Sequence, residues 1–282
     1  MLFSADWYPT DATMGWKLQG AEVILDDPVL PKIQEFKNNT GAYLSMHAPM
    51  LVAIGSKKPG VRFMSTETIV KHLTIMRQIQ PGVTNRIVVH AANYSERTPE
   101  EVWEVQRKTL WSLWYKMRDA GLLDSSLICL ENLGKLSQVG TIEDICQMCN
   151  LTDNFIPCID FGHLHARTLG KFLNTKEEFE SVFSQLYALL PAWKVNCMHI
   201  HFSKLEYTAK GEKRHVPFSI REAGPKPAQF LRALPERPDF NPVIVCESPN
   251  SYHDGRLLQR NYEARTRSLQ DSMRLGKEFH GL

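Results

Sequence analysis

Leu127-Ile128-Cys129-Leu130-Glu131 is an apolar run of strand length that closes on a carboxylate. A run this short and this apolar reads as a strand buried on both faces, so the polar residue at its carboxyl edge stands where the chain leaves the core. The pattern recurs on both sides of it. Upstream, Tyr43-Leu44-Ser45-Met46-His47 and Ile87-Val88-Val89-His90 end on imidazoles. Downstream, Ile156-Pro157-Cys158-Ile159-Asp160, Val195-Asn196-Cys197-Met198-His199 and Val243-Ile244-Val245-Cys246-Glu247 end on an aspartate, a histidine and a glutamate. Six successive runs therefore close on side chains able to bind a divalent metal.

Segments of helical periodicity separate the runs. Thr98-Pro99-Glu100-Glu101 and Thr175-Lys176-Glu177-Glu178 are capping boxes that start two of them. Leu2-Phe3-Ser4-Ala5 and Ala21-Glu22-Val23-Ile24-Leu25 add two strands at the front, and the charged segment from Arg256 to Lys277 adds a closing helix. Alternation of this kind predicts an α/β fold, a (β/α)8 TIM barrel. Its first βα unit is shortened, because only Trp7 to Gly20 separates the first two strands and a crossover takes about a dozen residues or more. The 282 residues suit one such domain over 1–282, since these barrels run to about 250 residues. In a closed barrel the carboxyl ends of the strands converge on one mouth, where TIM-barrel enzymes keep their chemistry. Three imidazoles and three carboxylates around that mouth would make a polynuclear metal site.

A net charge of +2 is too mild to demand a polyanionic partner. The six cysteines lie mostly within the predicted strands, and Cys146-x-x-Cys149 has no second pair to complete a zinc knuckle, so all read as small core residues. With no signal-peptide pattern over Met1–Gly20 and no long apolar stretch, a reduced, cytoplasmic protein without a membrane partner is expected. The longest irregular stretch, Phe202 to Pro227, carries Lys204, Lys210, Lys213, Arg214, His215 and Arg221. Placed at the mouth, it would suit an anionic substrate, with Lys204, Lys213 and Arg214 as its contacts.

Imidazoles and carboxylates together suit zinc, and a set about half oxygen also admits manganese or iron. A hydroxide held between two such ions is a strong nucleophile at neutral pH, and the pair can stabilise both oxygens of an in-line phosphate displacement. His163, expected on the loop above the Asp160 strand, and His215 on the long loop enlarge the set beyond one ion. A single strand-end histidine is more often structural, and a single strand-end acid often caps a helix. Six in order are different. Asp6 is a candidate substrate contact, His72 and His280 read as solvated helix positions, and His165 and His201 as groups that orient a neighbouring ligand.

His47-Ala48-Pro49, Val89-His90, Leu130-Glu131-Asn132, Asp160-Phe161-Gly162-His163, Met198-His199 with Ser203-Lys204, and Cys246-Glu247-Ser248-Pro249 follow one another over roughly residues 40 to 250. On these motifs the chain resembles the endonuclease IV family of apurinic/apyrimidinic endonucleases, within the xylose-isomerase-like TIM-barrel superfamily. The resemblance implies hydrolysis of damaged DNA at abasic sites with two or three Zn2+ ions, Mn2+ or another divalent metal being possible. It implies one ion on His47, His90 and Glu131, and a second on a bridging Glu131 with Asp160, His199 and Glu247. A third would take His163 and an Asp-x-His pair. Here Lys213-Arg214-His215 stands in that place, with lysine for aspartate and Glu212 as the adjacent carboxylate able to compensate. Met50 stands where the family commonly has tyrosine, and the short first unit leaves little room for an early DNA-reading loop. The alternative within the superfamily is a sugar or polyol isomerase or epimerase acting on a small sugar or phosphorylated substrate. There Glu131, Asp160, His199 and Glu247 would bind one ion while Glu131 and Glu247, the catalytic carboxylates, move protons beside a carbonyl. A purely structural metal-binding barrel is the third possibility, disfavoured because so costly a set of polar groups usually marks a site.

Overall fold

Side chains along the strands alternate between two apolar environments, and that alternation sets the architecture. The computed structural model describes residues 2–4, 29–41 and 43–279. In chain order the strands are β1 (Leu2–Ser4), β2 (Met46–His47), β3 (Asn85–His90), β4 (Ser126–Glu131), β5 (Phe155–Asp160), β6 (His199–Phe202), β7 (Lys204–Thr208), β8 (Gly211–Val216) and β9 (Val243–Cys246). Seven of them form one sheet in the order β1-β9-β6-β5-β4-β3-β2, and each neighbouring pair is parallel. The strand predicted over 21–25 lies outside the described residues, as do Asp6 and His280.

The helices are α1 (Val29–Thr40), α2 (Pro59–Ile79), α3 (Pro99–Asp119), α4 (Ile142–Cys149), α5 (Phe161–Arg167), α6 (Lys176–Leu189), α7 (Ala192–Asn196), α8 (Pro227–Ala233) and α9 (Ser251–Phe279). The boxes expected at Thr98/Glu101 and Thr175/Glu178 cap α3 and α6, and Thr141 with Asp144 makes a third at α4. Each cap satisfies backbone donors that the first turn leaves orphaned, a contribution of about 1 kcal/mol. Cys146 and Cys149 are buried on α4, and the six cysteines form no disulfide. Among the described residues no helix is long and apolar enough to cross a membrane.

One set of strand side chains, including Ile87, Val89, Ile128, Leu130, Phe155, Ile159, Ile200, Phe202 and Ile244, packs with the helices in the main core. The alternate set, Val88, Cys129, Ile156 and Cys158, forms a separate small cluster on the opposite face. That face is concave. β4 and β9 are three steps apart in the sheet order, roughly 14 Å on a flat sheet at about 4.8 Å per step. Yet Glu131 at the end of β4 and Glu247 just after β9 offer donor atoms within 4.8 Å of each other. Lower in the curl, Arg86 of β3 reaches across to donate to the Met198 carbonyl at 3.3 Å.

Three expectations are corrected here. The strand predicted over Val195–His199 is displaced: Ala192–Asn196 is helix α7, and the strand begins at His199 and runs to Phe202. The alternation His199-Ile200-His201-Phe202 carried that signal, with both imidazoles on one face and both apolar residues on the other. The stretch Phe202–Pro227 is not irregular throughout, because β7 and β8 pair antiparallel as a hairpin. His72 is not solvated; it is buried in α2, where its Nδ1 donates to the Thr68 carbonyl at 2.7 Å and burial pushes its pKa down.

Candidate metal centre

Glu131 ends β4 with its side chain on the concave face, fully buried. His47 Nε2 and His90 Nε2 each lie 3.2 Å from its Oε2, and His201 Nδ1 lies 3.0 Å from its Oε1. Burial acts to raise this carboxyl, but the imidazoles of His201 and His90 outweigh it and hold the group well below its ordinary value. His201 Nδ1 also stands 3.2 Å from Glu247 Oε1. Burial opposes ionisation of Glu247 as well, and His201 again wins, bringing it to about 2.

The donors sort into groups whose atoms lie within 4.8 Å of one another: His47, His90 and Glu131; Glu131, Asp160, His201 and Glu247; and His163, Glu212 and His215. Glu131 belongs to the first two. The histidine that the structure brings to the carboxylates is His201, whereas His199 sits two residues earlier on β6, paired in register with Cys158. The geometry thus puts His201, not His199, among those carboxylates, because the strand starts where it was expected to end. His165, the other flanking histidine, faces elsewhere: its Nδ1 donates to the Phe172 carbonyl at 2.6 Å.

Asp160 closes β5 and caps α5, its Oδ1 accepting from the His163 backbone at 2.7 Å. His163 thus stands in the first turn of a helix, not on a loop. Asn132 clamps Asp160 from the neighbouring strand, accepting from its N–H at 2.8 Å and donating to its carbonyl at 3.1 Å. The Asn132 carbonyl also accepts from His163 Nδ1 at 2.8 Å, which turns Nε2 toward Glu212 Oε2 at 3.5 Å. Burial raises the Asp160 carboxyl to about 6. His163 rises to about 9, burial pulling it down but Asp160, Glu131 and Glu212 pulling it up more strongly.

Glu212 reaches this group because the hairpin docks on the loop after β4. Glu212 N–H donates to the Gly134 carbonyl at 3.1 Å. A Cβ on Gly134 would lie 2.7 Å from Glu212 Cβ and 3.0 Å from His163 Cδ2, so only glycine permits the approach. His215 is oriented by Ser203 Oγ, 2.8 Å from its Nδ1. The expected cationic contacts are placed otherwise. Lys204 is buried, and its ammonium donates at 2.8 Å to the carbonyls of Phe218 and Ile220. Lys213 and Arg214 are exposed on the hairpin and both pair with Glu206, at 3.1 and 2.8 Å.

The donor set fits divalent cations on a specific observation. His47 Nδ1 lies 2.8 Å from the Ala48 carbonyl, which can only accept. In the neutral ring the Nε2 lone pair then faces a carboxylate oxygen, and two electron-rich atoms at that distance need a proton or a cation between them. His163 and Glu212 face each other in the same way. Asp160 Oδ2 is buried and accepts no hydrogen bond. A metal replaces protons in such a cluster, which is why metal binding couples to pKa.

The family model of the xylose isomerase-like TIM barrel matches residues 13–277. An uncharacterised protein of Methanocaldococcus jannaschii is 26% identical over 240 residues, covering 85% of this chain and 83% of its own. Among solved structures, a D-tagatose 3-epimerase-like protein has a TM-score of 0.64 at 16% identity, over 97% of this chain and 100% of its own. Endonuclease IV from Thermus thermophilus has a TM-score of 0.59 at 18% identity, over 86% of this chain and 83% of its own. The zinc-bound IolI protein has a TM-score of 0.58 at 17% identity, over 91% and 88%. At these identities the solved structures speak to the fold alone. The curled parallel sheet and the family match over nearly its whole length agree, and the chain belongs to the xylose isomerase-like TIM-barrel family.

Proposed function

We propose that this protein is a multinuclear metal-dependent phosphodiester hydrolase acting on damaged DNA at abasic sites. The observation that carries it is the sharing of Glu131 between the His47/His90 pair and the Asp160/His201/Glu247 group, with His163, Glu212 and His215 beside them. A single-ion enzyme has no use for so many donors. Divalent ions held there, zinc by the donor chemistry, would supply Lewis acidity and lower the pKa of water. The chain's own residues do the positioning. His47 and His90 would hold one ion against Glu131, Asp160, His201 and Glu247 a second, and Glu212 would take the place of the aspartate that Lys213 replaces.

The mouth also supports a nucleic-acid substrate. Met50 and Leu51, three and four residues past His47, are 70% and 50% exposed. Apolar side chains so placed are the kind that wedge between base steps and unstack them. Lys213 and Arg214 remain as phosphate contacts, weakened by their shared partner Glu206.

The second reading, a sugar isomerase or epimerase, is favoured by the group Glu131, Asp160, His201 and Glu247, which suffices by itself for one ion. Metal content of the purified protein, measured beside nicking of an abasic-site duplex, separates the two. Two or three ions per chain with incision is the expected result. One ion per chain, no incision and turnover of a ketose would overturn it in favour of the isomerase.

A further inference from the structure

One layer deeper in the curl, β5 and β6 bring a thiol and an imidazole that the centre above does not use against His201, which it does. Cys158 pairs in register with His199, and Asp160 with His201. Because alternate residues share a face, the thiol and His199 lie beneath Asp160 and His201. Cys158, His199 and His201 are fully buried, and one donor atom from each lies within 4.8 Å of the other two. His201 presents Nδ1 to Glu131 and Glu247, so Nε2 is the nitrogen it would offer to a deeper ion.

We propose that Cys158, His199 and His201 form a separate, thiol-containing site for a thiophilic d10 cation beneath the carboxylate-rich centre. One sulfur and two imidazoles favour zinc, cadmium or cuprous ions over magnesium or manganese, the reverse of an oxygen-rich set. Bonds of about 2.3 Å to sulfur and about 2.0 Å to nitrogen put donors roughly 3.5 Å apart, so donors within 4.8 Å of one another need draw in by no more than about an ångström. As the metal–sulfur bond forms, the S–H proton leaves to bulk water. The surroundings are apolar: Val88, Cys129 and Ile156 cluster with Cys158. His201 belongs to both layers through its two nitrogens, so a thiophilic ion below competes for a ligand of the centre above.

The test is a cadmium titration of the metal-free full-length chain, followed by the ultraviolet sulfur-to-cadmium charge-transfer band, which sites without sulfur do not produce. The band should saturate at one ion per chain. It should vanish in Cys158→Ser and persist in Cys197→Ser and in His90→Ala, which touches only the upper layer. Folding of each variant is checked by circular dichroism. If Cys158→Ser does not fold, His199→Gln carries the comparison, with cadmium bound about tenfold or more weakly. No band in the parent, an undiminished band in Cys158→Ser or unchanged affinity in His199→Gln overturns the site. Loss of the band in His90→Ala overturns its separateness.

Discussion

At the scale of single residues, Glu131 and Asn132 are neighbours with different tasks. Glu131 faces four imidazoles, those of His47, His90, His201 and, at 3.6 Å, His163. Glu131→Gln keeps the shape and removes the charge, so activity should disappear and at least one ion per chain with it, while circular dichroism stays that of the folded parent. Full metal content in that variant would remove Glu131 from the centre. His90 belongs to one group alone, and His90→Ala should lose a single ion equivalent by elemental analysis. Asn132 is no donor in any of these groups, yet it fixes Asp160 from both backbone sides and sets the His163 tautomer. Partners of this kind are worth about 10–100-fold in metal affinity. Asn132→Ala should weaken binding by that order, with turnover recovering at saturating metal, a split that simple misfolding would not produce.

At the scale of elements, the β7–β8 hairpin decides whether the third group exists. It presents Glu212 and His215 to His163, and it docks only because Gly134 lets Glu212 lie against it. Glu212→Gln and Gly134→Ala should therefore give the same phenotype by different routes: one ion fewer per chain, the other ions retained. Metal content unchanged in both would exclude the hairpin from the centre. The basic character of this segment is largely spent within it. Lys204 serves the carbonyls of Phe218 and Ile220, and Glu206 takes Lys213 and Arg214. Cations on a hairpin alternate in direction and pair across strands, which composition cannot reveal.

At the scale of the whole molecule, the metal-free protein carries a cluster whose charges are balanced by protons. His163 is raised from 6.5 to about 9, so the stability it confers is fully present below pH 6.5 and is lost as pH rises through 9. Glu247 is depressed from 4.5 to about 2, so its contribution is present above pH 4.5 and is lost as pH falls toward 2. Asp160, raised from 3.8 to about 6, works the other way, costing stability as pH rises through that window. The thermal stability of the metal-free chain should therefore fall between pH 6.5 and 9, by about 3 kcal/mol, and added zinc should flatten that slope. An apo midpoint independent of pH over this range would show that His163 does not carry the charge. The repeat of apolar runs closing on His47, His90, Glu131, Asp160 and Glu247 was enough to specify a parallel α/β fold and the end of its strands where these donors gather. Burial on both faces and a period of two are local properties, written residue by residue. The alternation His199-Ile200-His201-Phe202 puts both imidazoles on one face, but which of them meets the carboxylates was not local. It depends on where β6 begins, which is fixed by its ladder with β5 and β9 and by the short α7 ahead of it. The approach of Glu212, the withdrawal of Lys204 into the core and the thiol layer under the centre likewise arise only when the sheet curls. Curling brings side chains from strands far apart in the chain within a few ångströms, and no window of sequence holds them together.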